Sequence, residues 1–539
     1  MVSKRQAARN AQEALSKLKY LPPLRQAKGK ALAYIPTEIY LEILEYMLPT
    51  NEISEEESKA ALDNLILVCH LFRALCLPHR LRRLKIVSTQ KNHVNFIDGI
   101  IKYPYPMFSL RQYVRALTFS QWTSTSNDDN AWVYTQLLSK YALALDSFNN
   151  LSTLELDFVP ITKEFWDSVA YVPVLENVSI TRCSFEDASG PLPEDAPIKP
   201  WTSLVFHGNL EYTKYTDSLA ALASSKHLAT LKTDCWTSAQ AILSRTPEFP
   251  ALISLSIPIP PTPTFLKEFL SRTPSIESLG FPVHGDYRHR QDIPQLHLPA
   301  EALRKLTSLQ CPSFFLDRFL PGRPIVSLDV IYTPYTTFGI SVRDTEYILE
   351  THAILARVGT SLRTLTIPLS AIVRPGLPSL TWLDNLNALT LYVEAFGPSE
   401  DQLLMTAQFQ MQINAHPSVH TVAMLPNPFS RETFDGHSIV NWALNKQEAW
   451  INSFLSPAFP NATFSFRHSI EWRRQANGVR IPVVLNKGSV KTSLTALAQK
   501  PPRHVPIVRD HSDCLRSLFR EEELTGPLRV LLGVSQPIS

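Results

Sequence analysis

One spacing recurs through most of this 539-residue chain: an apolar residue, two others, an apolar residue, one other, and an apolar residue. It runs Val114-Leu117-Phe119, Leu151-Leu154-Leu156, Leu175-Val178-Ile180 and Trp201-Leu204-Phe206. After a weaker Leu228-Leu231 it continues as Leu252-Leu255-Ile257, Ile276-Leu279-Phe281, Leu306-Leu309-Cys311 and Ile325-Leu328-Val330. Leu362-Leu365-Ile367, Leu386-Leu389-Leu391 and Val419-Val422-Met424 close the series. The last two apolar positions of each copy stand two apart, so they share one side of an extended strand and the residue between them faces the other way. Middle residues 154, 178, 204, 231, 255 and 279 are separated by 24, 26, 27, 24 and 24 residues, and later gaps stretch to 37 and 33. A period of this length marks stacked units, none of which buries its apolar face alone. The chain is too long for one compact core.

Helical spacing fills the intervals, at Trp132 to Leu145, Thr162 to Val172, Tyr215 to Ser224, Ser238 to Arg245, Thr264 to Arg272, Thr345 to Arg357 and Ser399 to Ala415. Thr246-Pro247, Thr273-Pro274 and His416-Pro417 stop three of these in the same phase, since the residue before a proline is pushed away from helix. The L-x-x-L-x-L core resembles that of leucine-rich repeats over roughly residues 110–470. The resemblance implies an α/β chain with a strand and a helix per repeat, stacked as an irregular solenoid. Asparagine is mostly missing from the ladder position that follows the core; Cys183 and Asp234 lie near it in two copies. Glu155, Asp157, Ser179, Lys232 and Asp234 alternate with core positions. If the strands line a concave face, these side chains point out from it and are the expected contacts to a target protein.

Ahead of the repeats, Leu32 to Leu84 reads as two or three small helices. Pro36 suits a first helical turn and Glu38 the positive end of its dipole. Ile39, Ile43 and Met47 fall on one stripe, Ser54 with Glu57 forms a capping box, and Leu62, Leu65, Cys69, Phe72 and Cys76 share one helical face that Pro78 should end. So small a helical piece has little core of its own, and much of this apolar surface must meet something else. Ile35, Pro36, Glu38, Ile39, Ile43 and Leu44, then Leu65, Val68, Cys69, Phe72, Arg73, Leu75 and Pro78, resemble the F-box pattern, an (L/I)-P-x-E-I-x-x-x-I-L opening followed by V-C-x-x-(F/W)-R. The polar joint from Pro49 to Lys59 is longer than usual. The resemblance implies binding to the Skp-type adaptor of SCF ubiquitin ligases, and through it to a cullin scaffold. It carries over Ile35, Pro36, Ile39, Ile43, Leu44, Leu65, Val68, Cys69 and Phe72 as adaptor contacts.

The expected organisation is a basic arm (1–31), a helical F-box-like module (32–86), the repeat array (110–470) and an irregular capping segment (471–539). Net charge is only +3, which gives no global case for nucleic acid. Eight basic residues against Glu13 put +7 in the first thirty positions, so the remainder carries −4. That arm is acid-poor and Ala-rich, as a transit peptide can be, and is read as a solvated basic arm. Six scattered cysteines without a C-x-x-C pair imply a reducing compartment, cytoplasmic or nuclear. No apolar run is long enough to span a bilayer, so no membrane partner is expected.

Chemistry is sparse. There is no phosphate-binding glycine loop and no H-E-x-x-H motif. His284, Asp286 and His289 cluster in a polar loop without the ligand number a metal needs. Cys69 and His70 are adjacent and so point to different helix faces. The basic run His79 to Lys85 reads as the exposed face of a connector, with a capacity to touch phosphate. No catalytic group, metal or cofactor is expected. The chain reads as a substrate receptor of an SCF-type ligase that acts by proximity, the alternative being a non-enzymatic repeat scaffold without a ubiquitin role.

Overall fold

The computed structural model describes residues 26–27, 30–31, 37–48, 55–87, 97–98, 110–122, 131–185, 201–208, 226–244, 248–259, 263–282, 298–299, 301–331, 342–358, 361–373, 381–393, 404–405, 407, 415–426, 444–467, 469–498, 512–532 and 534. Two compact units divide the chain, Met1–Ile257 and Pro258–Ser539.

The first unit opens on a small antiparallel pair, Gln26–Ala27 with Lys30–Ala31, at the end of the stretch read as a solvated arm, and three helices follow: α1 (Thr37–Glu45), α2 (Glu55–Ile66) and α3 (His70–Leu81). Leu44, Leu62 and Cys76 form the centre of this module, with Met47, Leu48, Leu65, Ile66, Phe72 and Leu75 packed around it. The single helical face expected from Leu62 to Cys76 is broken. Leu67 to Cys69 make a tight turn in which the Leu67 and Val68 amides donate to the Asn64 and Leu65 carbonyls. Cys69 is extended (φ −162) and caps α3. Pro78 does not end that helix; it lies inside α3, which runs on to Leu81. A proline there removes one backbone donor. The final turn keeps its register through the Arg82 amide, which donates to the His79 carbonyl at 3.3 Å.

Seven strands of one parallel sheet follow in chain order: β1 (Arg83–Val87), β2 (Ala116–Ser120), β3 (Thr153–Asp157), β4 (Asn177–Thr181), β5 (Ser203–His207), β6 (Thr230–Thr233) and β7 (Ser254–Ser256), with Pro160–Ile161 and Ser184–Phe185 paired apart from it. Their register sets Leu84, Leu117, Leu154, Val178, Leu204, Leu231 and Leu255 in one row. From Leu117 on, these are the middle residues of the sequence repeat, so its phase is the phase of the ladder. Leu84 adds a copy: Leu81-Leu84-Ile86 fits the same spacing inside the basic run expected to be a connector. The ladder therefore starts at Arg83, ahead of residue 110 and within the stretch assigned to the helical module.

Helices α4 (Ala131–Leu145), α5 (Lys163–Tyr171) and α6 (Trp236–Ser244) lie in the intervals where helical spacing places them. Thr162 caps α5, its hydroxyl accepting from the Phe165 amide at 3.3 Å. Phe119 gathers Trp122, Tyr141 and Phe165 edge-on at 5.1–5.6 Å, which ties strand, helices and turn into one aromatic core. Gln121, Phe158, Arg182 and Gly208 each take positive φ just past their strands. This repeated turn follows four successive strands, and only at Gly208 does its residue lack a Cβ.

In the second unit, α7 (Pro263–Arg272) stops at Thr273-Pro274 as expected, and β8 (Ser278–Gly280) follows. The parallel order then continues through β9 (Ser308–Pro312), β10 (Ser327–Ile331), β11 (Thr364–Pro368), β12 (Ala388–Val393), β13 (Thr421–Pro426) and β14 (Thr463–Phe466). Leu279, Leu309, Leu328, Leu365, Leu389, Val422 and Phe464 share one row. The Phe464 copy is hidden in the sequence because Asn461 stands at its first apolar position. Helix α8 (Leu316–Phe319) follows β9, and α9 (Val342–Val358) lies between β10 and β11. Antiparallel β15 (Ile470–Arg474) and β16 (Arg480–Val484) finish the sheet. Both units are mixed α/β structures on long parallel sheets of many strands, consistent with a leucine-rich-repeat-like solenoid.

Candidate functional site

Two surfaces collect the residues singled out by sequence. The first is the helical module. Tyr40 and Leu44 of α1 turn inward, Tyr40 meeting the Phe72 ring edge-on at 5.5 Å. Ile39, Ile43 and Tyr46, at spacings of four and three, occupy the opposite side and are 44%, 48% and 74% exposed. Met47 does not continue this stripe. The helix ends at Glu45, and Met47 sits in the next turn, its amide bonded to the Leu44 carbonyl, with its side chain against the core. Val68 is 64% exposed in the turn between α2 and α3. Leu44 is buried, so it holds the helices together and offers nothing to a partner. Leu65 and Phe72 are half-buried against the same core, and Cys69 is half-buried at the start of α3. Ile35, Pro36 and Ser54 lie outside the described residues. Leu41, Tyr46 and Leu67 were not singled out and are exposed; for Tyr46 the i, i+4, i+7 series from Ile39 was the available signal.

The second surface is the polar side of the first unit's sheet. Glu155, Ser179, Val205 and Lys232 stand side by side on β3 to β6. At about 4.8 Å per strand, Glu155 and Lys232 are roughly 14 Å apart. Glu155 and Lys232 are exposed, and Glu155 accepts from the Thr118 hydroxyl at 2.9 Å. Asp157 and Asp234 have other duties. The Arg182 guanidinium donates to Asp157 at 2.9 Å while lying 4.0 Å over the Phe158 ring. Asp234 accepts from the Gly208 amide. The structure thus brings Glu155, Ser179 and Lys232 into one row and ties both aspartates to the strand-end turns.

Asp329 escaped the sequence reading although it holds the corresponding outward position, between Leu328 and Val330. Gln310 donates to it at 2.7 Å, its other oxygen is buried without a partner, and Thr366 is its neighbour on the next strand. Burial pushes its carboxyl up to about 6 against the Gln310 hydrogen bond. Burial likewise pushes Tyr392 up to about 12, with the Asp329 charge adding to it. The thiols of Cys183, about 12, and Cys514, about 11, are raised by burial and held protonated. Cys183 receives the Val159 amide at 3.4 Å, a structural contact at the ladder position.

Among the described residues, no group of three or more His, Cys, Asp or Glu side chains could hold a metal ion. His284, Asp286 and His289 lie outside those residues. No helix among them is long and apolar enough to cross a membrane.

No family model matches the sequence, and no curated protein matches it. In structure, 37 chains of solved proteins match. One belongs to the Toll–Spatzle complex, a molecular hub in Drosophila development and innate immunity; it is 14% identical over 64% of this chain and 54% of that chain, at a TM-score of 0.24. The protein spans about half the length of that chain. So low a TM-score carries no argument, and the repeat architecture rests on the strand register.

Proposed function

We propose that this protein is a substrate-recognition subunit of an SCF-type ubiquitin ligase. The helical module takes the Skp-type adaptor, which links it to a cullin scaffold, and the polar sheet face holds a target protein. One observation carries this reading: Ile39, Ile43 and Val68, drawn from the F-box-like pattern, stay exposed on a module that has its own closed core. Burying such side chains stabilises a complex by roughly 1.5–3 kcal/mol each, and their exposure in the unbound chain has no compensating contact. The role is one of proximity. A separate enzyme on the same scaffold transfers ubiquitin, and this chain supplies orientation and effective concentration.

The test is a pull-down of purified Skp-type adaptor by the full chain and by the double variant Ile39→Asp, Val68→Asp. Both positions are exposed, so the variant keeps its fold, as its thermal melt will show. Binding by the parent and loss in the variant are expected. Equal capture by both, or by neither, turns the reading to its alternative, a repeat scaffold without a ubiquitin role.

A further inference from the structure

The beginning of the ladder holds a cleft of about 480 Å³ whose charge is out of proportion to the rest of the chain. Lys59 reaches it from α2, Arg82 from the joint after α3, Arg83 and Lys85 from β1, and Arg115 from the residue before β2. The carboxylate lining it is Glu155. Five positive charges against one negative exceed the +3 of the entire chain.

The ladder itself makes this cluster. Arg83 and Lys85 are two apart on the same strand and so share its outer face, with Leu84 and Ile86 on the other. Register then carries Arg83 beside Ala116 and Thr153, and Lys85 beside Thr118 and Glu155. The floor between the cations is therefore built of small side chains, which keeps the cleft open. Arg82 and Arg115 are locked in place by backbone bonds, the Arg115 amide donating to the Arg82 carbonyl at 3.0 Å. Arg82, Arg83, Lys85 and Arg115 are exposed, and among the described residues none of them pairs with a carboxylate. Arg80, in the same basic run, is different: its guanidinium is paired with Asp63 at 2.7 Å, and neither residue lines the cleft. Thr153 accepts from the Asn177 amide group at 3.4 Å, which leaves its own proton to donate.

We infer that this cleft is a binding site for a phosphate monoester. Three guanidinium groups present planar pairs of donors that match phosphate oxygens, and two ammonium groups add charge without fixed geometry. The volume lies in the range of ligand sites and admits a phosphate with an organic group attached. Glu155 at the far side of the floor repels a second anionic group and accepts from a hydroxyl or amine of the ligand. The phosphate is supplied either by a phosphorylated side chain of a bound protein or by a free organic phosphate. The chemistry is shared, and the site stands whether or not the helical module takes an adaptor.

Titration calorimetry on the full chain decides between these sources, with phenyl phosphate, serine-phosphorylated peptides and their unphosphorylated counterparts as probes. Saturable binding of a phosphate probe at one site is expected, weakening as salt rises. A phosphopeptide that binds more tightly than both phenyl phosphate and its unphosphorylated form assigns the site to a phosphorylated protein. Phenyl phosphate binding more tightly than every peptide assigns it to a free organic phosphate. Arg82→Gln with Arg115→Gln should weaken binding by about tenfold or more, whereas Arg473→Gln on β15 should not. Glu155→Gln should tighten it, a gain that misfolding cannot imitate. No binding of any phosphate probe, or binding indifferent to both the double variant and Glu155→Gln, overturns the proposal.

Discussion

On β3 and β4 the apolar residues Leu154, Leu156, Val178 and Ile180 are at most 1% exposed, whereas Ile39 and Ile43 of α1 are nearly half exposed. The residue types are alike; the number of neighbours differs. A ladder strand has another unit on each side and a helix or turn over its apolar face, so each added copy closes the previous one. The helical module has 9, 12 and 12 residues in its three helices, enough to enclose Leu44, Leu62 and Cys76 but not the outer side of α1. Stacking leaves a polar sheet face exposed. A short helical cluster leaves apolar side chains exposed.

The comparison breaks first, if it breaks, on stability. Phe119→Ala removes the ring that Trp122, Tyr141 and Phe165 pack on, and should cost about 3–5 kcal/mol by chemical denaturation. A loss below 1 kcal/mol would mean that the ladder core is no better packed than the module's surface.

Asp329 tests whether the polar side of the second unit's sheet is as indifferent as that of the first. Its carboxyl rises from 3.8 to about 6 on folding, so the stability it contributes is complete below about pH 4 and is lost as pH climbs through 6. Asp329→Asn, which keeps an acceptor for Gln310, should therefore be more stable than the parent at pH 7.5 by about 2–3 kcal/mol. The advantage should shrink to nothing near pH 4. A pH-independent difference would show that the carboxyl is not held neutral by burial.

Gly208→Ala probes the strand-end turn. At φ +95 a side chain is strained, and the new Cβ would come within 2.6 Å of Arg182 Cγ. A shift in the denaturation midpoint worth about 1–2 kcal/mol is expected. At the small end, Ile43→Ser on the outer side of α1 should change stability by no more than about 0.5 kcal/mol. A larger loss would place Ile43 in the module's own core and remove the main support for the docking role.

Much of the ladder was legible because its signal is local. Leu154 and Leu156 announce a strand through their own spacing, and Thr273-Pro274 ends α7 through its own sterics. The misses share one cause. Asn461 broke the pattern of the last parallel strand, and the charges around Leu81-Leu84-Ile86 disguised the first. Of the candidate residues, Glu155, Ser179 and Lys232 followed from alternation alone. Asp157 and Asp234 obey the same alternation, yet cross-strand neighbours twenty-five or so residues away claim them, and spacing within one copy carries no trace of those neighbours.

The sequence by itself determined the strand ladder, its phase and the small size of the helical module, because two-residue and 3.6-residue periods are written into consecutive positions. Only the tertiary structure decided that the stretch around Cys69 is a turn, that Leu44 goes in while Ile43 stays out, and that five cations from three separate stretches meet over one floor. Those outcomes depend on which distant surfaces reach each residue first, and desolvation and charge act through space without regard to order along the chain.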